Sequence, residues 1–263
     1  MSARVWGIGV PGALGAEAIG MLAAVAEWSG YQSFWFNCVA PAADPAALLA
    51  AALASTEHID IGVGVIPLAG YPPATLAASL GGGPADDPRV VLGVGSGGPR
   101  RGALQRVSDG IVQLRTALPQ AQIAVGCKGP RMVALAAENA DALLFSMLRA
   151  DEAHEIARQL DAAGGRAASA YTYHRVALDP GAQRRVCDEM VSHGAWPAHD
   201  SSQPSAHDLL GTALASRSDV HRAVDADLAT YPDGWLPVLR PLPSRPGELD
   251  DWRDLFDLLA PTR

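Results

Sequence analysis

Short apolar segments alternate with helical patterns along almost the whole chain, and this alternation constrains the fold more than any other feature. Each segment is apolar enough to be buried on both faces, and each is followed by a stretch whose apolar residues recur at helical spacing. Strands that are connected through helices pair in parallel, with right-handed crossovers. The eight predicted strands are residues 5–10, 33–37, 59–66, 89–94, 123–125, 142–145, 171–178 and 235–239.

Eight such units predict an α/β protein of the (β/α)8 TIM-barrel class, and a length of 263 residues is typical of one barrel. Because 49% of the residues are hydrophobic, the chain can bury a large core, and we expect a single domain over residues 1–263. An open doubly wound sheet is the alternative, since the eighth segment contains Pro237, which cannot donate a hydrogen bond to a sheet. Residues 209–215 and 220–229 are predicted to be helical.

The charge and the cysteine content exclude several kinds of partner. A net charge of -8 and a pI near 5.3 argue against nucleic acids and anionic membrane surfaces. The three cysteines, Cys38, Cys127 and Cys187, are far apart and lack the spacing of a metal site, which fits a reducing compartment. Because no leader and no long apolar segment is present, we expect a cytoplasmic protein with a small-molecule partner and without a metal.

A strand–turn–helix–strand unit at residues 123–147 carries the clearest functional signal. Its turn is GCKG at residues 126–129, and Pro130 occupies the first position of the helix, where proline is favoured. A helix N-terminus directs N–H groups and the positive end of its dipole towards one point, which suits phosphate. Lys128 is the only lysine among 20 basic residues. We therefore predict a phosphate site in this turn, the alternative being an ordinary loop with a solvated lysine.

Two G-x-G-x-x-G patterns, at residues 7–12 and 93–98, each follow a predicted strand and precede a helix. Neither has an acid at the end of the next strand to bind a ribose, as a dinucleotide fold requires. A nicotinamide-dependent NAD(P) enzyme of the Rossmann type is therefore the less favoured alternative. Ser96 does not belong to a nucleophile elbow, because Val94 stands where glycine is needed, so Ser96 is a turn residue or a cofactor contact.

Two glycines in the third predicted strand and one long loop are further features that could have a functional or a structural explanation. Gly62 and Gly64 interrupt the third strand, and such glycines indicate a bulge, the close approach of another group, or room for packing between barrel layers. Residues 194–207 have the composition of a loop, and a loop of this length is predicted to be a lid.

Several segments within the first 150 residues resemble the bacterial luciferase-like family, and most closely its deazaflavin-dependent oxidoreductase branch. They are SFWFN, DPAALLAAALASTEHIDIGVGVIPL, PPATLAASL, RVVLGVGSGG and GCKGPRMVALAAENADALLF. The resemblance implies a flavin-like ring over the carboxyl ends of the barrel strands, supported by a bulge with a cis peptide bond that maps to Gly64-Val65. It also implies the deazaflavin coenzyme F-420 as the first choice of cofactor, with FMN as the second.

The turn and the resemblance together predict which residues contact the cofactor. A deazaflavin has a polyanionic tail, and an acidic protein offers few sites that could bind it. Arg100, Arg101 and Arg131 are the candidates for this role. The predicted cofactor-binding residues are Asn37, Gly64, Val65, Gly95, Ser96, Gly97, Arg100, Gly126, Cys127, Lys128 and Gly129.

The predicted function is that of a luciferase-like flavin- or deazaflavin-dependent oxidoreductase that transfers a hydride to or from a small organic substrate. The acid or histidine that this family often has after strand two is replaced by Asn37-Cys38, and no catalytic residue is assigned. A barrel that binds a flavin without turnover is therefore kept as an alternative. The alanine-rich helix at residues 46–54 is expected to pack closely, either on the barrel or against a second subunit in a homodimer.

Overall fold

Strands and helices alternate through the residues that the computed structural model describes, which are 6–38, 43–146, 148–164, 169–192, 211–213 and 219–261. The strands in these ranges are β1 (Gly7–Pro11), β2 (Ser33–Asn37), β3 (Asp60–Pro67), β4 (Val90–Gly95), β5 (Gln122–Cys127), β6 (Ala142–Ser146), β7 (Ser169–Ala177), β8 (Gly211–Ala213) and β9 (Trp235–Pro241). The helices are α1 (Ala16–Trp28), α2 (Pro45–Ala54), α3 (Pro73–Leu80), α4 (Ala103–Ala117), α5 (Pro130–Asn139), α6 (Ala150–Ala163), α7 (Pro180–Ser192), α8 (Val220–Leu228) and α9 (Leu249–Leu259).

The helices begin where the sequence places their start signals. α2 starts at Pro45, and the side chain of Asp44 accepts a hydrogen bond from the backbone N–H of Ala46 at 3.0 Å. α5 starts at Pro130, the position predicted from the turn before it. α2 packs on α1 so closely that a Cβ at Gly20 would lie 3.1 Å from the carbonyl oxygen of Ala51. The alanine-rich helix therefore packs against its own chain.

Eight parallel strands close into a ring, which confirms the predicted barrel. β1 to β7 pair in sequence order, and β9 then joins β7 on one side and β1 on the other. The doubtful eighth strand is thus the one that closes the barrel, and the open doubly wound sheet is wrong. Pairing of β9 with β1 begins at Val238, one residue after Pro237, so the missing N–H does not prevent closure.

Side chains of the strands point alternately into the barrel and out towards the helices, and this alternation divides the core in two. The larger cluster lies between strands and helices and includes Ile8, Phe34 and Phe256. The smaller one fills the inside of the barrel with Trp35, Tyr171, Tyr173 and neighbouring aliphatic residues. The lower part of the barrel is therefore a packed core.

One element differs in type from the prediction. Residues 211–213, expected to be helical, form the short strand β8, which pairs with Arg175–Ala177 at the end of β7. The predicted helix at 220–229 is present as α8. In the part of the chain that the structure describes, no helix has the length and apolar character needed to cross a membrane.

Candidate functional site

A cleft of about 700 Å³ lies at the carboxyl ends of the barrel strands, the end at which barrel enzymes place their active sites. The ends of β2 to β7 and of β9 contribute to it, because parallel strands bring their carboxyl ends to one edge. The predicted residues that line it are Asn37, Gly64, Val65, Gly95, Ser96, Gly97, Gly126, Cys127 and Lys128. Arg100 and Gly129 are not among the lining residues, and the cofactor contacts of the whole set stay a prediction.

The middle of the cleft is formed by a bulge in β3. The peptide bond between Gly64 and Val65 is cis, as predicted, and the pairing of β3 with β4 shifts register between Val63 and Ile66. Val65 is partly exposed in the cleft. A Cβ on Gly95 would lie 3.0 Å from a methyl group of Val65, and one on Gly126 would lie 2.8 Å from the other. The Val65 side chain therefore occupies the space that these two glycines leave free.

The glycines of β3 have a reason within the protein itself. A Cβ on Gly62 would lie 2.2 Å from the ring of Trp35, and one on Gly64 would lie 1.9 Å from the hydroxyl oxygen of Tyr173. Packing between barrel layers therefore requires both glycines, whether or not a ligand is bound. Room for packing between barrel layers is therefore sufficient to explain the two glycines, and the predicted bulge is present as well.

The glycines of the first G-x-G-x-x-G pattern are also explained by packing. Cβ atoms there would lie 2.2 Å from Ser33 Oγ for Gly7 and 2.1 Å from the carbonyl oxygen of Asn37 for Gly12. The side chain of Asn37 accepts a hydrogen bond from the N–H of Gly12 at 3.1 Å. This pattern therefore joins β1 to β2 inside a barrel, and the Rossmann interpretation is wrong.

Tyr173 holds the back of the cleft. Its hydroxyl donates a hydrogen bond to the carbonyl oxygen of Gly64 at 2.9 Å, and the guanidinium carbon of Arg240 lies 5.1 Å from the centre of its ring. Burial raises the pKa of Tyr173 to about 12, although Arg240 acts in the opposite direction. Tyr173 is therefore a neutral hydrogen-bond donor at physiological pH and fixes the bulge.

The two cysteines of the cleft are buried thiols. Burial raises the pKa of both Cys38 and Cys127 to about 12, so neither is a thiolate near neutral pH. The thiol of Cys127 donates to the carbonyl oxygen of Val125 at 3.3 Å. These residues line the wall of the cleft and do not have the properties of a nucleophile.

The predicted basic residues separate into two groups. Lys128 is exposed at the rim of the cleft, directly before Gly129, which is the N-cap of α5. Arg100 and Arg101 are exposed in the turn before α4, and Arg131 is exposed on α5. Gly98 lines the cleft, so the chain leads from the cleft to Arg100 within two residues. None of the three arginines lines the cleft.

Arg106 is a basic residue near this rim that the sequence analysis did not identify. It lies in α4, with its guanidinium carbon 3.5 Å from the position that a Cβ on Gly98 would take. Its Nη1 is buried and has no hydrogen-bond partner among the described residues. A buried donor that makes no hydrogen bond destabilises the folded protein, so an anion beside Gly98 that accepts a hydrogen bond from Nη1 would be stabilising.

Further lining residues come from β6, β7 and β9, where the sequence analysis assigned no site residue. They are Leu144, Ser146, Tyr173, Arg175 and Arg240, together with Cys38, Pro67 and Gly98 from the earlier strand ends. Arg175 is only 5% exposed, and both of its terminal nitrogens lie 3.4 Å from Ser146 Oγ. An arginine within a strand that is otherwise buried was the signal that could have identified this side of the cleft.

The charge of the cleft is opposite to that of the protein. Lys128, Arg175 and Arg240 line it, while no described residue of the lining is an aspartate or a glutamate. The chain as a whole has a net charge of -8. A positive cleft in an acidic protein concentrates anionic ligands at one place.

One prediction concerns residues that lie outside the described ranges, namely the lid at residues 194–207. Within the described ranges, no group of three or more His, Cys, Asp or Glu residues is placed to bind a metal ion. The absence of a metal stays a prediction.

Comparison with known proteins gives one match at the level of sequence families. A model of the family described as luciferase-like monooxygenase matches residues 2–103, which is less than half of the chain. The match covers β1 to β4 and the start of α4, and thus the strand ends that carry Asn37, Val65 and Gly95. No curated protein matches the chain.

Solved structures of similar fold cover almost the whole chain. The coenzyme F-420-dependent tetrahydromethanopterin reductase from Methanopyrus kandleri is 14% identical with a TM-score of 0.66, and the match covers 98% of this chain and 99% of that one. A monooxygenase from Streptomyces bottropensis is 17% identical with a TM-score of 0.69, with 98% of each chain covered.

The third neighbour is the oxygenating constituent of 3,6-diketocamphane monooxygenase from Pseudomonas putida, solved in complex with FMN. It is 16% identical with a TM-score of 0.65, and the match covers 98% of this chain and 97% of that one. At these identities the similarity shows the fold alone, which is a closed parallel β/α barrel.

Proposed function

We propose that the protein is an oxidoreductase of the luciferase-like type, which binds a deazaflavin or flavin nucleotide in the cleft and acts on a small organic substrate. The family match over residues 2–103 and the fold of the neighbours support the general class. One of these neighbours depends on coenzyme F-420 and another was solved with FMN, so the choice of cofactor has to be argued from this chain.

The observation that carries the proposal is an apolar platform in the middle of the cleft. Val65 lies over the bare backbone of Gly95 and Gly126, and Leu144 lies beside it in the same lining. Polar groups surround this platform, among them Asn37 and Ser96. A site with an apolar base and a few polar groups at its rim suits a planar ring with polar edges. The Val65 side chain would support one face of the ring.

Basic groups on one side of the platform suit the phosphate that such a cofactor carries. Lys128 lies at the rim next to the N-terminus of α5, and Arg106 places its buried Nη1 beside Gly98. A helix N-terminus and a cation together stabilise a phosphate group. We infer that the phosphate lies between the loops that follow β4 and β5.

The protein would contribute binding and orientation, because a bound flavin or deazaflavin itself supplies the hydride chemistry. Tyr173 fixes the bulge through the Gly64 carbonyl group, and its pKa of about 12 keeps its proton in place. Below the platform, buried residues such as Trp35 and Tyr171 fill the inside of the barrel, so the underside of a bound ring would face packed side chains and not water. No catalytic acid or base is assigned.

Titration of the purified protein with coenzyme F-420 and, separately, with FMN tests the proposal. We expect saturable binding of F-420, detected by a change in its fluorescence and absorbance. Replacement of Val65 by aspartate should weaken that binding at least about tenfold, because a charge would face the ring. The matched control is Val112→Asp, since Val112 lies on α4 and is 63% exposed. Absence of binding of both cofactors by the wild-type protein would contradict the proposal.

A barrel that binds the cofactor without turnover is the second candidate. It is favoured by the composition of the cleft, because no described lining residue is a carboxylic acid or a histidine. Reduction or oxidation of the bound cofactor by a panel of alcohols, aldehydes and enones separates the two functions. Turnover with any of them supports the enzyme, and binding without turnover over the whole panel supports the second candidate.

A further inference from the structure

A second cavity opens beside the cleft, on the side of the barrel mouth formed by β1, β2, β7 and β9. Its volume is about 280 Å³, and it shares Asn37, Arg175 and Arg240 with the cleft. Arg185 of α7 and Trp252 of α9 complete its walls. The two cavities therefore adjoin each other, and a molecule in the second one would lie beside the cleft.

Three arginines give this second cavity its chemistry. Arg175, Arg185 and Arg240 line it, and none of its described lining residues is acidic. Asp179 lies outside the cavity lining; burial acts to raise its pKa, but hydrogen bonds from the N–H of Ala182 and the hydroxyl of Ser244, with a smaller contribution from the charge of Arg185, lower it overall. Guanidinium groups bind carboxylates and related oxyanions through paired hydrogen bonds, so the cavity suits an anion.

Neutral groups help to position these arginines. The terminal nitrogens of Arg175 face Ser146 Oγ, Arg240 lies over the ring of Tyr173, and Arg185 donates to the carbonyl oxygen of Pro243. Arg175 is nearly completely buried. These contacts hold the guanidinium groups at the walls of the cavity, and a fixed cluster of three positive charges suits an anionic ligand.

The order of the strands places the two basic groups at opposite sides of the mouth. In the ring, β5 with Lys128 lies four strands away from β1 in both directions, and the second cavity is centred on β1, β2 and β9. A cofactor with its phosphate at Lys128 and its ring on Val65 leaves the second cavity for another molecule. This step rests on the proposed function.

We propose that the second cavity is the substrate subsite and that the substrate is a small organic anion. Its charged group, a carboxylate, a sulfonate or a phosphate ester, binds to Arg175, Arg185 and Arg240. The remainder of the molecule extends towards the platform, where the reacting carbon meets the cofactor ring.

Calorimetric titration of the protein saturated with its cofactor tests this inference. The probes are benzoate, benzenesulfonate and phenyl phosphate, with neutral benzamide as the matched control. We expect at least one anion to bind about tenfold or more tightly than benzamide, as charged hydrogen bonds would produce. Arg185→Met should weaken that anion about tenfold and leave cofactor affinity unchanged, because Arg185 lines the second cavity and not the cleft.

The neighbouring Arg184 provides the control for the variant. It is exposed on the same helix, and Arg184→Met should leave the affinity for anions unchanged. The inference is overturned if all three anions bind no more tightly than benzamide, or if they compete with the cofactor and Arg185→Met weakens the cofactor instead. Cofactor binding without discrimination between anions overturns this inference alone, whereas absence of cofactor binding overturns it together with the proposed function.

Discussion

At the carboxyl end of the barrel, the ends of β3, β4 and β5 present glycine backbone and one valine, whereas the ends of β7 and β9 present a tyrosine and two arginines. The first side, which we call the glycine side, is shaped by the absence of side chains at its glycines. The second, the arginine side, is defined by charge. One barrel mouth thus presents an apolar surface on one side and a cluster of positive charge on the other, and Arg175 and Arg240 border both cavities.

The largest effect is expected from filling the space at Gly64, which joins the two sides through Tyr173. Gly64→Ala would place a methyl group 1.9 Å from the Tyr173 hydroxyl and 2.7 Å from Leu144. Such overpacking should lower the free energy of unfolding by about 3 kcal/mol, measured by urea denaturation. Gly247→Ala, where a Cβ would meet no atom within 4 Å, is the control and should change stability by less than about 0.5 kcal/mol.

A double-mutant cycle with Tyr173→Phe sharpens this prediction. Removal of the hydroxyl relieves part of the crowding, so Gly64→Ala should cost less in the Tyr173→Phe background than in the wild type. Equal costs in both backgrounds would show that the two sides are not coupled through this contact.

The arginine side should also respond to pH, through the outward face of β7. His174 is 3% exposed, and its Nδ1 lies 3.3 Å from the hydroxyl of Tyr231. Burial lowers the pKa of His174 from 6.5 to about 4; Asp227, 3.9 Å from its Nε2, opposes the shift, and Arg175 adds to it. Between these two pH values the unfolded chain binds a proton that the folded protein does not. Stability should therefore fall as the pH decreases from about 6.5 to about 4, by about 3 kcal/mol in total.

The measurement is the free energy of unfolding between pH 4 and 7 for the wild type and for His174→Gln. The variant should lose this part of the pH dependence. His58→Gln is the matched control, because the side chain of His58 is 87% exposed. A slope that His174→Gln leaves unchanged would contradict the role given to burial.

Removal of the cation at the rim should affect only the cofactor. Lys128→Ala is expected to weaken binding of F-420 or FMN by about 1 to 3 kcal/mol, the range for a charged hydrogen bond, and by more at low salt. Arg253→Ala removes the same charge from α9, where the side chain is 59% exposed, and should leave affinity unchanged. Equal affinity of wild type and Lys128→Ala in a fluorescence titration would contradict the binding of the cofactor phosphate in this turn.

The smallest effect distinguishes the two cofactors. Arg100 and Arg101 are exposed outside the cleft, and we assign them to the polyanionic tail that a deazaflavin has and FMN lacks. Their joint replacement by serine should weaken F-420 by a few tenths to about 1 kcal/mol and leave FMN unchanged, since exposed charge pairs contribute little. Loss of affinity for both cofactors, or for neither, would refute the assignment.

The fold could be predicted because strand and helix signals depend on local residue patterns. The eight barrel strands and the start of α5 at Pro130 follow from apolar runs and proline positions. β8 was missed because its three residues carry no pattern of their own and are held by pairing with β7. The cis bond at Gly64-Val65 was expected from the family resemblance, and its glycine has a packing reason that involves Tyr173, more than a hundred residues away.

The candidate site was predicted on the glycine side and missed on the arginine side. The turns after β4 and β5 are rich in glycine, GSGG at residues 95–98 and GCKG at residues 126–129, so Gly95 and Gly126 could be placed from the sequence. Arg175 and Arg240 are single charges in β7 and β9, and their convergence on one cavity depends on closure of the barrel. Arg106 belongs to a helix, and only packing against Gly98 brings it to the rim.

A crystal structure of the protein with bound coenzyme F-420 tests the division of the barrel mouth most directly. We predict that the ring lies on Val65 between Gly64 and Gly126 and that the phosphate contacts the turn at Lys128. The second cavity, which Arg185 lines, should stay free of the cofactor. Cofactor phosphate bound to Arg175, Arg185 and Arg240, with the ring away from Val65, would contradict it.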